Sequence, residues 1–225
     1  MKKIQIKLIE FAKKLNSRNL SPLRSGNISV RFKKNSTEGF LITPSGIKYE
    51  RLKINEIVFV SLEGKFDRSG ISPSSEWKFH QDIYLKKRKA NAIVHSHSPY
   101  ATALSTFGKS IPAFHYMVAL AGGNNIKCAK YATFGTRELS KNIINALENR
   151  KACLIANHGQ VGFGENLCEA FELSEEIENI CYQYSIALTI GTPNILSSKE
   201  MKNLSLIHIS EPTRPRLISY AVFCL

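Results

Sequence analysis

Ala92-Ile-Val-His-Ser-His97 reads as a short apolar strand that runs straight into two histidines two residues apart. Side chains two apart on a strand point to the same side, so His95 and His97 can turn both imidazoles to one point. If the strand has ended by then, the short spacing still lets a loop do the same. Neutral imidazole suits Zn²⁺. Cys153-Leu-Ile-Ala156 is a second buried strand, and it ends at Asn157-His158-Gly159. A histidine placed there is placed like a site residue. Either signal alone also fits surface or hydrogen-bonded loop histidines. Together they offer three nitrogen ligands and leave positions open for substrate, as a catalytic metal requires.

Outward from these strands, the pattern alternates irregularly between short strands and longer helices. Ile4, Leu8, Phe11, Ala12 and Leu15 give residues 2–19 helical spacing. Residues 28–32, 39–42 and 57–60 read as strands, with 62–66 as a hairpin continuation. Helices are expected from Trp77 to Leu85, over 99–107, over 136–148 and over 166–190, the last with Leu167, Phe171, Ile177, Cys181, Tyr184 and Leu188 on its apolar side. No repeat or linker interrupts the pattern. The expected fold is one mixed α/β domain, a central and mainly antiparallel sheet flanked by helices.

Three further segments carry candidate chemistry. Ser74, Ser75 and Glu76 stand at a helix entry, where hydroxyls and free N–H groups favour an anion such as phosphate. Glu76 is a candidate metal ligand or base. His80 falls four residues on, a rival ligand ranked below the other three and read as a partner that orients Glu76 or packs beneath it. Ser25-Gly26-Asn27-Ile-Ser29 and Thr43-Pro-Ser45-Gly46 are turns of the kind that turn backbone N–H groups toward phosphate oxygens. No Walker A loop and no GxGxxG motif supports a nucleotide-binding reading.

The net charge of +13 permits nucleic-acid binding. Yet the cations are scattered and Lys-rich, and no aromatic-basic motif recurs. The expectation is therefore a solvated basic surface that favours a small anionic substrate, with no nucleic-acid partner. No apolar run is long enough to span a bilayer, and the N-terminus reads as an amphipathic helix rather than a signal peptide. A cytoplasmic protein without a membrane partner is expected. No cysteine pair has CxxC spacing, which argues against a thiolate zinc site. Cys128, Cys153 and Cys181 read as buried thiols.

The segment 204–225 is set apart. Its two blocks, LSLIHISEPTR and ISYAVFCL, resemble a translated sequencing adapter in frame, order and spacing. It is expected to be non-native, so the domain is taken as 1–203, and His208, Tyr220 and Cys224 carry no inference.

In chain order the motifs SGNIS, TPSG, PSSEW, HSH and NHG resemble the class II aldolase/adducin family. Residues 41–52, 73–80, 110–117 and 130–140 extend the resemblance, which covers nearly all of 1–203. It implies a metal-dependent aldehyde-lyase. Such an enzyme splits a ketose 1-phosphate, for example L-fuculose 1-phosphate, into dihydroxyacetone phosphate and an aldehyde such as L-lactaldehyde.

Position by position, the resemblance implies a zinc ion on Glu76, His95, His97 and His158. It makes Glu76 and Tyr116 catalytic, with Tyr116 reaching across a subunit interface. Substrate phosphate falls to Gly26, Asn27, Ser45, Gly46, Ser74 and Ser75, and the aldehyde pocket to Phe134. It also implies a homotetramer with active sites between subunits. The family carries a C-terminal tyrosine that closes over the site; the set-apart segment stands in its place, and Tyr220 is not its equivalent. The alternatives are a pentulose-phosphate 4-epimerase, which usually has Asp at the position of Glu76, a methylthioribulose-phosphate dehydratase and a deoxy-pentulose-phosphate aldolase. An adducin-like scaffold would lack the metal histidines.

Overall fold

The two histidine-bearing strands lie in one seven-stranded sheet. A computed structural model of the chain describes residues 1–22 and 25–210, with 205–210 described by backbone alone. Residues 23–24, just before the first expected turn, and 211–225 of the set-apart segment lie outside the described residues.

Helix α1 (Lys2–Ser17) leads into strands β1 (Asn27–Lys34), β2 (Thr37–Ile42) and β3 (Val58–Ser61). Then come α2 (Trp77–Lys86), β4 (Ala92–Ser96) and α3 (Pro99–Ser105). Short strands β5 (Ile111–Pro112), β6 (Asn125–Ile126) and β7 (Cys128–Ala129) precede α4 (Arg137–Ala146). The hairpin of β8 (Ala152–Ile155) and β9 (Gly159–Gly164) is followed by α5 (Leu167–Ile190) and α6 (Ser198–Ser210).

The main sheet has the order β3-β2-β1-β4-β9-β8-β7, while β5 and β6 form a separate pair. All its pairings are antiparallel except β7 with β8. The expected architecture is the observed one.

β4 runs through the middle of this sheet and is buried along its whole length. That is why it reads as an unbroken apolar run rather than an alternating one. Ile93 faces a core made with Phe79 and Ile83 of α2 and Leu139 and Ile143 of α4. Ala92 and Val94 face the opposite core, with Leu8, Phe11 and Leu15 of α1 and Phe171 of α5. Burying each large apolar side chain contributes about 1.5–3 kcal/mol, so the central strand is clamped from both faces.

Some expectations need correction. No strand forms at 62–66. β3 stops at Ser61, whose N–H donates to the Lys65 carbonyl at 2.9 Å while its hydroxyl accepts from Lys65 N at 3.2 Å, closing a turn. Helix α5 loses its buried face after Cys181, and Leu188 is 47% exposed. Cys153 and Cys181 are buried, but Cys128 is only half-buried. Helix α6 itself spans Ser198–Ser210, and Met201 on it is buried.

Candidate active site

Glu76, His95, His97 and His158 converge. One ligand-type atom from each lies within 4.8 Å of all the others. The three imidazole centroids form a near-equilateral triangle with sides of 4.9, 4.9 and 4.7 Å. Strand β9 makes this possible. It pairs with β4 on one side and β8 on the other, so the β8–β9 turn carries His158 beside His97. Asn157 in that turn adopts φ 54°, a left-handed conformation that asparagine tolerates better than most residues. The Asn157 and His158 N–H groups donate to the carbonyl and hydroxyl of Ser105 at 3.3 and 3.4 Å.

His95 is fully buried, and its Nδ1 lies 2.8 Å from the Gln160 carbonyl oxygen. A carbonyl only accepts, so Nδ1 carries the proton and Nε2 presents its lone pair inward. That Nε2 is 3.0 Å from His97 Nε2 and 3.2 Å from Glu76 Oε2. Glu76 Oε1 is 3.2 Å from His158 Nε2, yet it is buried and makes no aligned hydrogen bond.

The His95 Nε2 lone pair and the Glu76 carboxylate, acceptors both, therefore face each other, an arrangement that a cation relieves. Three nitrogens and a carboxylate fit a divalent metal with substrate as a further ligand. Burial, reinforced by neighbouring His95, pushes His97 down to about 3 and His158 down to about 4. Both are thus neutral near pH 7, as metal ligands must be. Burial works to raise the Glu76 carboxyl, yet it stays below the usual carboxylate range, with the Asn27 amide donating to Oε2.

A cleft of about 350 Å³ opens beside this cluster. Gly26, Asn27, Ser45, Gly46, Ser74, Ser75 and Phe134 all line it. Backbone bonds staple its loops: Ser74 N donates to the Thr43 carbonyl at 3.0 Å, and Ser45 N to the Ser72 carbonyl at 3.1 Å. The Tyr49 hydroxyl donates to the Gly26 carbonyl at 2.6 Å, tying in the third loop. Tyr116 does not line this cleft and is 46% exposed.

Sequence reasoning missed Tyr131 and Asn157, which also line the cleft, and Gln160, which fixes His95. Tyr131 stands inside the quoted block 130–140 and was within reach. Gln160 acts through its carbonyl, which leaves no mark in the sequence. His80 is not in the cluster. A larger cavity of about 500 Å³, between Lys86–Lys89 and the glutamates of α5, holds no histidine and lies apart from this chemistry.

A family model, Class II Aldolase and Adducin N-terminal domain, matches residues 6–185. The chain belongs to that family. Among its relatives, this class II aldolase is 45% identical over 197 residues to a 5-methylthioribulose-1-phosphate/5-deoxyribulose-1-phosphate aldolase of Rhodospirillum rubrum, covering 88% of this chain and 87% of that one. It is 44% identical over 200 residues to the L-fuculose phosphate aldolase of Escherichia coli, covering 88% and 91%. A solved L-fuculose 1-phosphate aldolase superposes with a TM-score of 0.87 at 36% identity, over 93% of this chain and 97% of that one. The class II aldolases are metal-dependent, and the Glu/His₃ cluster is where this one could hold its ion. Among the described residues no helix is long and apolar enough to cross a membrane.

Proposed function

We propose that this aldolase cleaves a ketose 1-phosphate whose far end is apolar, releasing dihydroxyacetone phosphate and a short aldehyde. L-Fuculose 1-phosphate, giving L-lactaldehyde, is the leading substrate, and 5-deoxy- or 5-methylthio-pentulose 1-phosphates are the second reading. The carrying observation is the cleft itself, whose lining combines residues of the Glu/His₃ cluster with the polar loops and with Tyr131, Ala132 and Phe134. All these sugars end in a methyl or methylthio group, which suits an aromatic rim. The relatives' names cover both kinds and favour neither, at 45% and 44% identity.

His95, His97, His158 and Glu76 would hold a zinc ion, which when bound supplies Lewis acidity toward the negative charge left by carbon–carbon cleavage. Gly26, Asn27, Ser45, Gly46, Ser74 and Ser75 grip the phosphate, and that remote binding energy positions the reacting carbons. After cleavage, Glu76 returns a proton to the carbon that has lost its partner; in condensation it removes that proton. Phe134 shapes the aldehyde end. Tyr116, exposed and outside this cleft, serves as a proton donor to a neighbouring copy in a homotetramer. A cytoplasmic setting suits a phosphorylated substrate.

The test is a retro-aldol assay on L-fuculose 1-phosphate and on the two pentulose 1-phosphates, with metal added or chelated. Metal-dependent release of dihydroxyacetone phosphate is expected, and the ratios of kcat/KM rank the substrates. Absence of release from all three, in metal-loaded oligomer, overturns the aldolase reading in favour of an epimerase or dehydratase of the same family.

A further inference from the structure

Glu76 is the end of a chain of buried hydrogen bonds that the reaction as described does not use. Asn27 Nδ2 donates to Glu76 Oε2 at 3.0 Å. Asn27 Oδ1 lies 2.5 Å from His80 Nε2. His80 Nδ1 lies 2.7 Å from Ser29 Oγ, which lies 2.7 Å from the Tyr84 hydroxyl. Asn27, Ser29, His80 and Tyr84 are all 2% exposed or less.

Donor and acceptor chemistry lets this chain run in one direction only. An ionised carboxylate accepts and cannot donate, so Asn27 must turn its NH₂ toward Glu76. Its carbonyl then faces His80, whose Nε2 must carry the proton. The bare Nδ1 takes the Ser29 proton, and Ser29 in turn takes the Tyr84 proton. His80 and Tyr84 stand one helical turn apart on α2, and Asn27 and Ser29 two apart on β1, so helix and strand hold the chain at both ends. The Tyr84 ring is fixed further by Arg31, whose guanidinium lies 4.9 Å from the ring centroid and donates to the Tyr84 carbonyl at 2.7 Å.

We propose that His80, set in its Nε2–H form by Ser29 and Tyr84, is a positioning residue: it locks the Asn27 amide so that its NH₂ faces both Glu76 and the substrate cleft. Asn27 lines that cleft, and its amide nitrogen makes no second hydrogen bond among the described residues. In the locked orientation the second N–H is available to a substrate oxygen. In the flipped orientation a carbonyl faces the carboxylate, Glu76 is pushed from its place, and the cleft loses a donor. The inference rests on the aldolase reading, because Glu76 is the proton carrier that the lock serves.

The test compares His80→Gln, whose side-chain amide can still donate to Asn27 Oδ1, with His80→Leu, which fills similar space and donates nothing. In zinc-loaded protein, His80→Leu is expected to lower kcat at least 10-fold and to raise KM, because the cleft loses a donor, with bound zinc near wild type, and His80→Gln to restore most of both losses. Equal activity in the two variants, or a loss that follows zinc content, overturns the lock.

Long-range ¹H–¹⁵N correlation of the histidine ring nitrogens in the wild type reads the tautomer without any variant. A His80 Nδ1–H form would also overturn it. Wild-type protein with the Nε2–H form but no aldol cleavage would instead count against the aldolase reading alone.

Discussion

Gly26 packs against the backbone carbonyl of His95 so closely that a Cβ on it would come within 2.7 Å of that oxygen and 2.3 Å of Ser21 Oγ. Its φ of +79° is also one that L side chains resist. Gly46, on the neighbouring cleft loop, has a similar φ of +75° but open space where its Cβ would go. The two glycines separate backbone strain from crowding. Gly46→Ala is expected to cost only the left-handed strain, about 1–2 kcal/mol. Gly26→Ala must in addition move a metal-bearing strand, so a loss of more than about 2 kcal/mol is expected. Urea unfolding of the two variants checks this, and equal losses would show that the Gly26 loop can give way.

Glu76→Gln keeps the shape of a residue that faces the three histidines and, in the proposed reaction, carries the proton. Three histidines remain to hold a metal, so metal content by mass spectrometry of the native protein is expected to stay near wild type. Turnover is expected to fall about 10²–10⁴-fold, the range for loss of a positioned general base. Full activity in this variant would remove Glu76 from the proton path.

Tyr116 and Glu76 make a pair whose subunit origin can be read directly. If Tyr116 serves a neighbour's cleft, Glu76→Gln and Tyr116→Phe are each weakly active alone, but a mixed oligomer regains intact sites. Random mixing in equal amounts leaves about a quarter of interface sites with both residues native. Recovery toward that fraction after co-expression is the expected result. No recovery in verified mixed oligomers would place both residues in one subunit's site, or take Tyr116 out of the reaction.

Much of this was legible before the fold was known, because the chemistry sits at the ends of strongly apolar strands. β4 and β8 announce themselves by composition, and His95, His97 and His158 follow directly. β9 does not. Its six residues include Gly159, Gly162 and Gly164, and glycine erases the strand signal. Those glycines let neighbours approach: a Cβ at Gly164 would lie 2.6 Å from Ala170 N of α5. The strand that brings His158 to His97 is thus specified by what is missing from its side chains. His80 shows the opposite difficulty. Its spacing from Glu76 marks it as relevant, but only the register of Asn27 against His95 across β1 and β4 shows that it works through an amide.

Acid should unfold this protein earlier than its surface charge suggests. Burial pushes His80 down to about 3, with His95 adding to the effect, and it pushes His97 and His158 down to about 3 and 4 from an ordinary value of 6.5. Each binds its proton more readily in the unfolded chain. Between about pH 6.5 and the folded values, the unfolded state therefore holds more protons, and stability falls as pH falls. Above pH 6.5 these groups cost nothing, because they are neutral in both states. By pH 5.5, keeping the fully buried His80 neutral costs about 1.4 kcal/mol relative to the unfolded chain, and His97 and His158 act in the same direction. Glu76, held below the usual carboxylate range, adds to the loss at lower pH. Chelator-treated protein is expected to show a urea midpoint that drops steadily from pH 7 to pH 5, with the largest part of the drop below 6.5. Replacing His80 by Gln removes one titrating group, so the slope should become shallower in that variant. A midpoint independent of pH across this interval would mean that these imidazoles take up protons in the fold as readily as in the unfolded chain, and their burial as neutral groups would have to be abandoned.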